Sequence, residues 1–148
     1  MSAPLTSPHG HFPFAEIYLQ IWLSPLVTVT PWQKGMGSLM WATGMPKPYR
    51  AVKRVAGPRT ATADYPVIRA HTFGDTYTQA MVEADKNDQC VQVLVDFPGR
   101  VVDMPDGSKV TCEYAEILEA AREEEYSASS VVKRAVSEYR FVFSLTPA

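Results

Sequence analysis

At 148 residues, 46% of them hydrophobic and 20% charged, the chain has the size and composition of one folded unit with a real core, not of a disordered or fibrous sequence. Its 14 basic and 16 acidic residues leave a net charge of −2, too even to drive binding of free nucleic acid or an anionic membrane. The two cysteines, Cys90 and Cys112, form neither a disulfide framework nor a zinc-ligand spacing and read as small buried hydrophobes in a reducing compartment. Residues 1–12, rich in Ser, Pro, His and Gly, read as a flexible N-terminus, and 13–148 as one domain. Apolar residues at 14, 17, 18, 21 and 22 draw a helical stripe. Pro13 suits its first turn and Pro25 its end, so a helix is expected over 13–23. The stretch 12–29 is the most apolar of the chain, but Glu16, Gln20 and Pro25 interrupt it. No segment reads as a membrane span or an export signal.

The β-branched run 26–30 predicts a short strand that Pro31 ends or marks as an edge. Residues 31–63 form a long Gly- and Pro-rich loop, with a strand fitting at 49–55 and a linker at 56–63. A strand over 65–73 has neither face cleanly polar and is expected at the centre of a sheet. Asp75 is the expected N-cap of a helix over 76–94, whose apolar stripe Asp88 breaks. A turn at 96–99 follows, then a hairpin of 101–104 and 109–112 around Pro105-Asp106-Gly107. The second hairpin strand is expected to reach about residue 118, and the acidic, serine-rich 119–130 to form an exposed connector with one helical turn at most. The final strand alternates, with Ala135, Ser137, Tyr139, Phe141, Phe143 and Leu145 on one face. The order of elements predicts an α+β fold: a mostly antiparallel sheet with an N-terminal helix and a central helix packed on one face.

The pattern holds no catalytic set, cofactor loop or metal site. His9 and His11 stand in the terminal segment, and His71 lies in mid-strand with no base or nucleophile at a telling spacing. Glu123, Glu124 and Glu125 read as a solvated charge run. Gly35 and Gly37 make no phosphate loop. Lys47, Arg50, Lys53, Arg54 and Arg59 form a basic run that suits contact with phosphates, or a solvated strand and loop. Trp32, Met36, Leu39, Met40, Trp41 and Met45 either make a contact surface or fold back onto the core, and the spacing does not choose between them. The edges of a small sheet also invite strand addition between subunits.

Four stretches carry a family likeness: Tyr65-Pro66-Val67; Thr76-Tyr77-Thr78-Gln79-Ala80; Met104-Pro105-Asp106-Gly107; and Val136-Ser137-Glu138-Tyr139-Arg140-Phe141. Residues 64 to the end resemble tail terminator proteins of long-tailed phages, especially those of actinobacteria. The resemblance implies a subunit of a homo-oligomeric ring, commonly hexameric, in the tail and neck of a virion assembled in the host cytoplasm. Such a ring caps the tail tube, stops the tube protein from polymerising and meets the head-completion proteins. DNA passes through its lumen without sequence recognition, and no membrane is involved. Contacts between subunits are then expected at Trp32, Met36, Leu39, Met40, Trp41, Met45 and the hairpin at Asp106, with Lys47, Arg50, Lys53, Arg54 and Arg59 facing the channel. The rival readings are another neck or tail-tube protein, and a small ferredoxin-like ligand-binding module with a pocket near His71.

Overall fold

A computed structural model describes residues 12–126 and 131–144. All but Phe12 of the expected flexible N-terminus, and Leu145 of the final strand, lie outside the described residues. Two α-helices, α1 (Ala15–Leu23) and α2 (Tyr77–Asp96), pack on one face of a strongly curled, mostly antiparallel sheet. The strands are β1 (Met36–Gly37), β2 (Tyr49–Ala56), β3 (Ala63–Asp64), β4 (Val67–Gly74), β5 (Arg100–Asp103), β6 (Lys109–Glu124) and β7 (Lys133–Ser144). Six of them run in the order β1-β2-β4-β7-β6-β5, and β3 pairs with β7 beside the end of β4. Only the β1–β2 pairing is parallel.

The helix face of the sheet follows the alternation of β7. Ala135, Ser137, Tyr139, Phe141 and Phe143 all point under the helices and are buried. Each buried aromatic or aliphatic side chain there contributes roughly 1.5–3 kcal/mol relative to exposure. Val52, Ile68, Ala70, Cys112 and Ala115 complete the floor, and Tyr18, Leu19, Leu23, Val91 and Leu94 of the helices press on it. Ala80 and Ala84 of α2 meet Ala135, and their small size lets the helix approach β7 closely. α1 touches both β2 and β5, which stand near opposite ends of the strand order. The sheet has therefore curled until its two ends meet across one helix.

Three expectations are corrected. Residues 26–30 make no strand: Ser24–Leu26 is a 3-10 turn and the next residues bend. Pro25 and Pro31 bracket the run and withhold two N–H donors, which outweighs its β propensity. The N-cap of α2 is Thr76, whose hydroxyl accepts from the Gln79 N–H at 3.1 Å, while Asp75 pairs with Lys47 at 2.5 Å. Residues 119–124 continue β6 rather than forming a connector, because Glu124 finds Arg134 and Glu119 finds Arg122 on the outward face. The strand expected at 49–55 is present as Tyr49–Ala56, hydrogen-bonded along β4.

Two helix carboxylates take strand donors beside irregularities in the ladders. Glu16 of α1 accepts the Arg54 N–H of β2 at 2.8 Å, and Asp88 of α2 accepts the Ala121 N–H of β6 at 2.8 Å. Each satisfies a backbone donor where the pairing of its strand shifts register.

Candidate functional site

The 31–48 loop divides its apolar residues between two destinations. Met36 is buried in the main core and Trp32 packs partly against it. Trp41 crosses to the other side of the sheet, where it is 7% exposed among Tyr49, Ala51, Phe73 and Val132, with Met40, Met45 and Tyr126 around them. This aromatic cap covers one end of the outer sheet face. Leu39 alone among the expected contact residues of this loop stands well out of the fold, at 72% exposure. Asp106 sits on the exposed hairpin turn, where its carboxylate accepts from the Ser108 N–H and hydroxyl. Gly107, at φ 88°, supplies the left-handed residue that this turn requires. Met36 and Trp41 therefore leave the set of free surface residues.

Beneath the cap lies His71, 4% exposed, stacked on Phe73 with ring centroids 6.5 Å apart. Its Nδ1 faces Nη1 of Arg134 at 3.4 Å. Arg134 donates from Nη2 to Glu124 at 2.6 Å and to the Glu125 carbonyl at 2.8 Å, and its guanidinium lies over the Tyr126 ring. The Tyr126 hydroxyl donates to the Trp41 carbonyl at 3.0 Å, and the ring meets Phe73 edge-on. Burial, reinforced by Arg134 and Arg69 and opposed by Glu124, pushes the imidazole down to about 4. His71 is thus neutral at pH 7, with its lone pair toward Arg134.

The expected basic run is dispersed by the pleat. Arg50 is 1% exposed on the helix face, donating to Asn87 at 2.6 Å and Glu83 at 2.9 Å. It faces no channel. Arg54 and Arg59 share the buried Asp64. Burial would raise that carboxyl, but hydrogen bonds from Arg54 and Arg59 outweigh it and hold it below the usual range. Lys47 lies over the Trp41 ring and bonds to Asp75. Lys53 is on the outer face, across from Arg69. The five residues make no common surface.

Apolar surface gathers instead along the seam between α1, α2 and β5. A cleft of about 460 Å³ is lined by Ile21, Trp22, Pro25, Cys90, Val93 and Val101 among others. A smaller one of about 200 Å³ separates Phe14 and Ile17 from Met104 and Pro105 of the hairpin. Phe14 is 74% exposed at its mouth. His71 lines neither. Among the described residues no group of three His, Cys, Asp or Glu side chains is arranged to hold a metal ion, and no helix is long and apolar enough to cross a membrane.

The Asp88–Tyr139 pair went unread in the sequence, although its signal was present as a carboxylate inside the apolar stripe of α2. Arg134 carried no such signal, because an arginine in an alternating strand looks the same whether it is paired or solvated. Against known proteins, no family matches the chain and no curated protein matches it.

Proposed function

We propose that the chain is a structural virion protein: a tail terminator whose copies close into a ring, of six by its resemblance, that caps the tail tube and joins it to the neck. The observation that carries this reading is where the resembling stretches fall. Tyr65-Pro66-Val67 leads into β4, Thr76 caps α2, Met104 to Gly107 turn the hairpin and Val136 to Phe141 lie in β7. They form one connected block of sheet and helix, in the order the resemblance asks for. The use of charge supports a surface role. Arg50, Asp64, Asp88 and His71 each engage another group of the chain, leaving none of the four aimed into the seam clefts.

Ring closure is geometric. A head-to-tail contact repeated by rotation closes on itself, whereas the same contact with a rise gives a tube. With Trp41 and Met36 buried, the contact falls to Leu39, Phe14 and the hairpin. Light scattering over a range of concentrations, with negative-stain images, is expected to give one discrete ring. Long tubes would instead indicate a tube subunit. A monomer that also fails to bind the ends of purified tail tubes would overturn the proposal. Leu39→Asp is expected to convert rings to monomers without moving the unfolding midpoint.

A further inference from the structure

We propose that His71 is a proton-sensitive latch for the aromatic cap: protonating its Nδ1 expels Arg134 and releases residues 38–48 from the outer sheet face while the rest of the sheet stays folded. Tyr49 donates to the Leu39 carbonyl at 2.8 Å and Lys47 pairs with Asp75, and one further chain of contacts runs from His71 to Arg134, from Arg134 to Tyr126, and from Tyr126 to the Trp41 carbonyl. Arg134 can only donate, so the His71–Arg134 contact exists only while Nδ1 carries a lone pair. A proton there sets donor against donor and cation against cation.

The charges facing His71 make that state costly. Arg134 of β7, Arg69 of β4 and Lys53 of β2 are positive; Glu124 of β6 and Glu138 of β7 are negative, and Glu138 is engaged by Arg69 at 2.8 Å. An imidazolium would be the fourth cation against two anions. Opening relieves this by letting Arg134 swing away and water reach the ring.

The cap is also the less firmly held part of the fold. Two of its buried donors, Trp41 Nε1 and Arg134 Nε, have no acceptor among the described residues. The helix-side core contains many more buried apolar side chains than the cap. Local opening before global unfolding follows from that difference. The sign is fixed: the folded histidine binds its proton more weakly than a free one, so the cap is fully held above about pH 6.5 and loosens as pH falls toward 4.

The test is hydrogen exchange of the full chain, read by mass spectrometry, in wild type, His71→Gln and Glu124→Gln. Gln keeps an acceptor toward Arg134 and cannot titrate. Between about pH 7.5 and 4.5, wild type is expected to lose protection over 38–48 by on the order of fiftyfold after correction for intrinsic rates. Peptides of β4, β7 and α2 are expected to keep theirs, and His71→Gln to hold the cap throughout. Glu124→Gln removes the negative charge that favours the imidazolium and is expected to leave the onset near pH 6.5 while deepening the loss below it. Loss of protection in His71→Gln at the wild-type pH would overturn the proposal. So would simultaneous loss in β7, or a shallower loss in Glu124→Gln than in wild type should His71→Gln fail to fold.

Discussion

Asp88 interrupts the apolar stripe of α2, and the interruption has two uses. One oxygen accepts the Tyr139 hydroxyl at 2.5 Å and the other the Ala121 N–H at 2.8 Å. Burial first, then the Asp88 charge, hold the phenol of Tyr139 well above its ordinary range, so it stays a donor. Asp88→Ala would strand both donors and is expected to cost about 3 kcal/mol, measured by urea unfolding. Tyr139→Phe leaves Asp88 one partner and should cost about half as much. Residue-scale chemistry was the least legible level in the sequence. Arg50 and Lys53 stand three positions apart in one basic run, yet the first is sealed against α2 and the second faces outward. Only the phase of the pleat and the position of Asn87 separate them, and neither can be read from charge.

The elements were more legible where burial falls on one face. β7, the hairpin and α2 announced themselves because water on one side and core on the other impose a period. β6 was cut short in the reading because its second half is acidic. Its glutamates answer arginines on β7 and on β6 itself, an arrangement that periodicity does not show. The cap of α2 was placed one residue early for a related reason, since Asp75 and Thr76 are both good caps and only the turn geometry decides. Thr76→Ala is therefore expected to cost about 1 kcal/mol in urea unfolding. Asp75→Ala, losing an exposed pair with Lys47, should cost less than half of that. Equal costs would return the cap to Asp75.

At the scale of the molecule, stability has an alkaline dependence of its own. Burial pushes the Cys112 thiol up to about 11, from an ordinary value near 9. The folded state therefore holds a proton that the unfolded chain releases between those values. The contribution of Cys112 is fully present below about pH 9 and is expected to fall by roughly 2 kcal/mol toward pH 11. Cys112→Ala is expected to start lower but to lose less across that window, as followed by urea midpoints.

The meeting of both sheet ends on α1 bears on the order of events at the ribosome. Tyr18 donates to the Arg100 carbonyl, 82 positions later. Trp22 donates to the Cys90 carbonyl, 68 positions later. The helix that emerges before the sheet can meet β2 early, but its berth is complete only once α2 and β5 have been made, so part of its apolar face must wait through most of synthesis. A nascent chain arrested before residue 100 leaves the exit tunnel with that part still uncovered.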